Sequence, residues 1–254
     1  MVDEMNARLK VATFNIRYGS AADGANGWRH RRGATLSQLS AIEFDVCGLQ
    51  EVLADQRGYL AGSLTGTRWY GVGRADGVSD GEQSPIVVRG ERLVVSEWTT
   101  LWLSERPQVA GSRGWDAKIP RVATAVKGTV DGVAVGVVNT HLDHRGQRAQ
   151  IGSARLIADL VRAEQRRWIV MGDFNVEFGS PALNELTRAG LRSVLPSDAG
   201  GTFHAWTGAT DRRRIDHILV DDGWEVIDGR IVHDRFNGKL PSDHWPISAE
   251  LRLR

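Results

Sequence analysis

Two short segments late in the chain set an acid beside a second polar group: Gly172-Asp173-Phe174-Asn175 and Ser242-Asp243-His244. Each follows or interrupts an apolar run, and a carboxylate at the end of a buried strand is costly unless a cation, a proton donor or a substrate compensates it. Two such places in one chain point to convergence, and together they would make a metal-assisted hydrolytic centre. Other polar residues also stand where apolar runs stop, namely Asn15, Glu51, Asn139 with His141, and Asp216 with His217. Strand ends hold side chains rigidly yet let them reach solvent. Hard oxygen donors without sulfur suit Mg²⁺ or Mn²⁺, with Glu51 the first-choice ligand. Such an ion would hold a phosphoryl oxygen and offset charge on a leaving group. Asp173 could then orient or deprotonate the attacking water. His141, His244 and the amides of Asn15 and Asn175 are donor types suited to phosphoryl oxygens, and Asp216 could fix the His244 tautomer and keep its imidazolium charged near neutral pH.

The elements that must position these groups are legible in outline. Residues 9–16 read as a buried strand, Arg31 to Ile42 as a helix from the spacing of Leu36, Leu39 and Ile42, and Asp45 to Glu51 as a short strand. From Trp69 to Val138 the pattern is β-rich, with Pro85 to Val88, Leu93 to Leu103 and Ala123 to Val130 separated by glycine-containing turns. Ala123 to Val130 and Val133 to Thr140, joined at Asp131-Gly132, carry the strongest hairpin signal. After Arg145-Gly146, the residues Ile151, Ala154, Ala158 and Val161 share one helical face, and Trp168 to Met171 follows as a strand. Pro181 to Leu191 reads as a shorter helix, and Ile215 to Val220 and Trp245 to Leu253 as the last strands. The expected fold class is an α/β architecture of two sheets packed face to face with helices outside, in one domain spanning 1–254.

Composition bounds the function. The 254 residues hold 32 Lys plus Arg against 31 Asp plus Glu, so no bulk field draws the chain onto nucleic acid or an anionic membrane. The single cysteine, Cys47, lies in an apolar stretch, reads as a small buried thiol and rules out an internal disulfide. No window approaches a membrane span and residues 1–10 lack a signal-like apolar stretch, so a cytoplasmic location is the expectation, and no partner protein is indicated.

Six segments, taken in order, resemble the motifs of the endonuclease/exonuclease/phosphatase superfamily: Thr13-Phe14-Asn15, Leu49-Gln50-Glu51, Asn139-Thr140-His141-Leu142, Gly172-Asp173-Phe174-Asn175, Arg214-Ile215-Asp216-His217-Ile218 and Ser242-Asp243-His244. The resemblance implies a four-layer α/β sandwich of two mixed, mainly antiparallel sheets, bearing a Mg²⁺- or Mn²⁺-dependent phosphoesterase site. By it, Glu51 matches the principal metal ligand, and Asn15 and Asp243 match positions that help hold the metal or its waters. Asp173 matches the water-aligning residue, Asn175 its partner on the phosphate, His141 a phosphate-contacting histidine, and Asp216 with His244 the carboxylate–imidazole pair. Arg17 stands two residues after Asn15, where abasic-site nucleases of the family carry an Asp, which weakens a repair-nuclease reading. Within the family the likeness is closest to uncharacterised bacterial hydrolases that share Trp28-Arg29-His30-Arg31, Gly73-Arg74-Ala75-Asp76-Gly77, Gly81-Glu82, Gly114-Trp115-Asp116 and Pro120-Arg121.

Trp28, Arg31, Glu82, Trp115 and Arg121 are therefore expected to form a rim around the metal, and Trp28, Trp115 and Trp206, in polar stretches, are candidates for substrate contact. Trp69, Trp98, Trp102, Trp168 and Trp245 read as core or sheet-edge residues instead. His217 is expected to pack in its strand and His30 and His233 to lie on the surface; His144 is left open. Arg212-Arg213-Arg214 reads equally as a solvated turn or as the receiver of a second anionic group. The favoured function is hydrolysis of a phosphate ester on a small or medium-sized substrate, such as a sugar phosphate, an inositol phosphate or a lipid head group. The alternatives are a nuclease acting on nucleic-acid phosphodiesters and, from a different class, a catalytically silent binding module.

Overall fold

The computed structural model describes residues 7–254. Strand β1 (Arg8–Asn15) pairs in parallel with β2 (Val46–Gln50), and β3 (Thr67–Tyr70) and β4 (Ile86–Arg89) extend that sheet. With β11 (Trp224–Ile231) and β12 (Ile247–Leu253) its order is β11-β12-β1-β2-β4-β3. The second sheet holds β5 (Val94–Trp102), β6 (Val122–Val130), β7 (Val133–His141), β8 (Arg167–Asp173), β9 (Arg192–Ser193) and β10 (Asp216–Val220) in the order β5-β6-β7-β8-β10-β9. Among its pairs only β7 and β8 run parallel.

The inner faces meet in one core, where Val11, Val46, Ile86 and Val88 of the first sheet join Val126, Val137, Ile169, Met171 and Ile218 of the second. Helices α1 (Trp28–Ala41) and α2 (Ala54–Ser63) cover the outside of the first sheet around Phe14, Leu39, Leu49 and Leu60. Helices α3 (Gln147–Ala163) and α4 (Pro181–Thr187) cover the second through Ile157, Val161, Leu183 and Leu186. The layers therefore run helix, sheet, sheet, helix, as expected for a four-layer sandwich. No helix among the described residues is long and apolar enough to cross a membrane.

Asn139 joins the sheets. Its amide donates to the carbonyls of Leu49 (2.8 Å) and Pro85 (2.9 Å) and its oxygen accepts from Gln50 Nε2 at 2.7 Å. Gly48 makes room for it, because a Cβ there would sit 2.5 Å from Asn139 Oδ1. The predicted β6–β7 hairpin forms with Asp131 (φ 47°) and Gly132 (φ 82°) both left-handed, as a tight two-residue turn requires.

Several elements differ from expectation: α4 stops at Thr187 instead of Leu191, and three more have a clear local cause. Helix α1 begins at Trp28, three residues before the predicted start, because half of its buried face is polar: Arg31, Thr35 and Gln38 are buried beside Trp28, Ala34 and Leu39, and apolar spacing does not register them. Helix α2 carries little apolar signal, with only Gln56 and Leu60 buried, and Gln56 Oε1 caps it by accepting the Leu53 amide at 3.1 Å. Strand β11 alternates weakly because it is an edge strand with a bulge between Val226 and Asp228.

Candidate active site

The strand termini of both sheets open onto one cleft of about 650 Å³. Strands β1 and β2 end side by side at Asn15 and Gln50, so that Asn15 and Glu51 face each other, and Asn15 Nδ2 donates to Glu51 Oε1 at 3.1 Å. Glu51 has φ 61°, an unusual conformation for a residue with a long side chain, and its Oε2 accepts the Tyr18 amide at 2.9 Å. In the other sheet, β7 and β8 pair His141 with Asp173, and β10 pairs Asp216 with Asp173 from the other side. Gly172 permits this: with φ 145°, a Cβ there would lie 2.0 Å from the Thr140 carbonyl oxygen. Ser242 docks the last segment by donating from Oγ to the Asn15 carbonyl at 2.7 Å, which brings Asp243 and His244 to the same place.

Asp173 is the point on which the two sheets converge. Its Oδ2 accepts from Asn15 Nδ2 at 2.9 Å and lies 3.4 Å from His141 Nε2 and 3.9 Å from His244 Nε2; its Oδ1 accepts the Asn175 amide at 2.9 Å. Burial, followed by the neighbouring Asp216 charge, pushes its carboxyl up from the usual carboxylate range. His244 donates from Nδ1 to Asp216 Oδ2 at 2.8 Å. Burial opposes the imidazolium charge, but Asp216, joined by Asp173 and Asp243, outweighs it and raises His244 to about 10. His141 moves the other way: burial and the positive field of Arg121 and Arg74 hold it well below the ordinary histidine range, hence neutral.

Ligand atoms of Glu51, His141 and Asp173 all lie within 4.8 Å of one another, as do those of Asp173, Asp216 and His244. The first group fits a hard divalent cation. It offers two carboxylates and a neutral imidazole on the cleft wall, and the raised Asp173 acid marks negative charge that its surroundings leave undercompensated. The second group already has a cation in His244. Asp243 belongs to neither group; its Oδ2 lies 3.8 Å from Arg17 Nε, and its Oδ1 accepts from Ser242 Oγ at 3.2 Å. Asn15 turns its Nδ2 to both Glu51 and Asp173 while its Oδ1 accepts the Arg17 amide at 2.9 Å, so it braces the carboxylates with an N–H.

The structure thus gathers Asn15, Glu51, His141, Asp173, Asn175, Asp216, Asp243 and His244. Of the predicted rim, Glu82 and Arg121 line the cleft and Trp28, Arg31 and Trp115 do not, while the substrate-contact candidate Trp206 does. Trp28 opens α1 and packs edge-on against Tyr59 (5.8 Å between centroids), in the core and not in a loop. Arg31 is buried and donates to the carbonyls of Ile16, Arg17, Asn26 and Pro241, tying the β1 end to the last loop. Trp115 lies against α3, where only glycine fits beneath it: a Cβ on Gly152 would be 2.2 Å from its ring. Arg213 lines the cleft, whereas Arg214 bonds the carbonyls of Pro196 and Ser197. His144 lines it too, 3.2 Å from Arg121 Nη2. His217 packs between Phe174 and Phe178. Sequence reasoning missed Asp23 and Phe203. Asp23 reaches the cleft through a two-pronged pair with Arg17 (3.0 and 3.1 Å), and Phe203 rests on the His244 ring at 4.9 Å. Only the proximity of Arg17 to Asn15 could have pointed there.

A two-sheet sandwich with acids, amides and imidazoles at its paired strand ends defines the class of phosphoesterase-fold proteins. The chain belongs to the endonuclease/exonuclease/phosphatase family, whose model matches residues 12–244. Its fold superposes on a family protein from Bacteroides vulgatus (34% identity, 97% of this chain and 99% of that one, TM-score 0.91) and on one from Bacteroides thetaiotaomicron (30% identity, 97% and 98%, TM-score 0.89). A mannosyl-6-phosphatase from Bacteroides thetaiotaomicron VPI-5482 is similar to a like degree (30% identity, 96% and 99%, TM-score 0.87). No curated protein sequence matches the chain significantly.

Proposed function

We propose that this protein is a divalent-metal-dependent hydrolase of phosphate esters, acting on a small or medium-sized phosphorylated substrate with a sugar phosphate as the leading class. The observation that carries the reading is the convergence on Asp173 of Asn15, His141 and His244, with Glu51 alongside, at the floor of a cleft. Glu51, Asp173 and His141 are the residues suited to hold Mg²⁺ or Mn²⁺, which when bound supplies charge stabilisation to the phosphoryl and leaving-group oxygens. Asp173 aligns the attacking water and takes its proton. The water oxygen bonds to phosphorus, the P–O bond to the leaving group breaks, and the alcohol departs after taking a proton from solvent. The His244 imidazolium, kept charged by Asp216, offers Nε2–H to a phosphoryl oxygen as negative charge grows there. The similar mannosyl-6-phosphatase supports a sugar phosphate as substrate, and Trp206 on the cleft wall offers an aromatic face to a sugar.

A panel of sugar, inositol and lipid-head-group phosphates, assayed for released phosphate with Mg²⁺ or Mn²⁺, tests the reading. Turnover abolished by EDTA and restored by metal is expected. Digestion of oligonucleotides with no phosphate release from the panel would replace it with the nuclease reading.

A further inference from the structure

Three non-glycine residues on one wall of the cleft hold left-handed backbones: Arg17 (φ 57°), Ala205 (φ 49°) and Trp206 (φ 65°). Such strain persists only where the surroundings enforce it, and it gathers where a ligand is held. The wall is tied together from behind. The Ala205 amide donates to the Asp243 carbonyl at 3.2 Å. Arg31 lies over one face of the Trp206 ring, 5.4 Å from its centroid, while its Nη2 donates to the Arg17 carbonyl at 2.7 Å. Arg17 is fixed in turn by Asp23, which accepts from Nε and Nη2, and by the Tyr18 ring, whose centroid is 4.7 Å from the guanidinium carbon. Its Nη1 makes no hydrogen bond to a described residue and keeps contact with solvent, and Asp23 lines the same cleft.

We propose that Trp206 and the Arg17–Asp23 pair form the subsite for a hydroxylated leaving group, so that the site selects sugar phosphates over alkyl phosphates. The inference rests on the phosphate-ester reading above. Arg17 and Asp23 cancel each other's charge, and Asp243 Oδ2 stands as a further acid 3.8 Å from Arg17 Nε, so this wall does not attract a second anion. It offers a donor at Nη1 beside carboxylate oxygens with lone pairs to spare. That is the complement of neighbouring ring hydroxyls, each of which both donates and accepts. Trp206 supplies a flat apolar surface to cover the C–H face of a sugar ring. An alkyl chain in the same place leaves the polar groups without partners.

The test sets kcat/KM for the better of glucose 6-phosphate and mannose 6-phosphate against that for butyl phosphate, with Mn²⁺, because all are esters of primary alcohols with the same chemistry at phosphorus. Wild type is expected to favour the sugar ester by at least about 100-fold. That ratio should fall at least about 10-fold in D23N and also in W206L. A merely structural role would slow both esters alike and leave the ratio where it was. A weaker preference in wild type, or a smaller fall in either variant, overturns the inference. If wild type turns over neither ester, the hydrolase reading fails by itself. Calorimetric titration of the same esters into Mn²⁺-loaded protein then decides, with the same ratios read as affinities. Should a variant fail to fold, D23S or W206M takes its place under the same criteria.

Discussion

Replacing Asp216 by Asn removes one charge while keeping an oxygen that can accept the His244 Nδ1–H bond of 2.8 Å. In the native protein His244 stands at about 10 against an ordinary 6.5, which corresponds to roughly 5 kcal/mol in favour of the imidazolium. Burial is the largest single influence on this ring and acts against the charge, so with Asp216 neutralised only Asp173 and Asp243 still favour the imidazolium and His244 drops toward its ordinary value. At pH 8 the ring should then be mostly neutral. Histidine-selective ¹⁵N NMR reads this directly: wild type is expected to show a charged His244 at pH 8 and D216N a neutral tautomer. Loss of the charged donor should lower kcat/KM at pH 8 by about 100-fold or more. The gap to wild type should narrow as pH falls below 6.5, because protonation then restores the donor in the variant while protonation of Asp173 slows both proteins. An imidazolium still present at pH 8 in D216N, or a rate within about threefold of wild type, would refute the reasoning.

Three further outcomes are expected. Glu51→Gln should weaken Mn²⁺ binding by at least about 100-fold in a calorimetric titration while lowering the thermal midpoint only by a few degrees, since the neutral side chain keeps the Tyr18 amide bond and gives up the one from Asn15. Gly172→Ala should cost about 3 kcal/mol or more in urea denaturation, because its Cβ would meet the Thr140 carbonyl at 2.0 Å. His217 is held at about 4 by burial while its unfolded counterpart protonates near 6.5, so it contributes stability above pH 6.5 that is lost as pH falls to 4. That loss amounts to about 3 kcal/mol, and His217→Gln should flatten the stability profile across this window.

Much of this arrangement was legible because strand ends are easy to see in sequence. An apolar run that stops at Asn15, Gln50, His141 or Asp173 announces both the strand and the polar group it presents, and those strands pair as neighbours in two sheets. What remained hidden was of another kind. Arg31 looks like a rim cation, yet it is spent on four backbone carbonyls, a role that depends on where the 15–17 turn and Pro241 come to lie. Trp115 looks like a loop aromatic free to meet a ligand, but a glycine in α3 makes a seat for it. Asn15 reads as an N–H donor to phosphate and, by the resemblance, as a help to the metal, and only its three-dimensional partners reveal that its N–H faces the carboxylates of Glu51 and Asp173. Asp23 enters the cleft solely because Arg17 turns back through a left-handed φ of 57° to meet it, which no periodicity encodes.

The anomalous difference map of a crystal soaked in Mn²⁺ and phosphate tests the central claim most directly. The account predicts one strong peak within coordination distance, about 2.0–2.3 Å, of Glu51 and Asp173 oxygens, with phosphate beside it and near His141. A peak bound elsewhere, or phosphate ordered in the cleft with no ion next to Glu51, would contradict it.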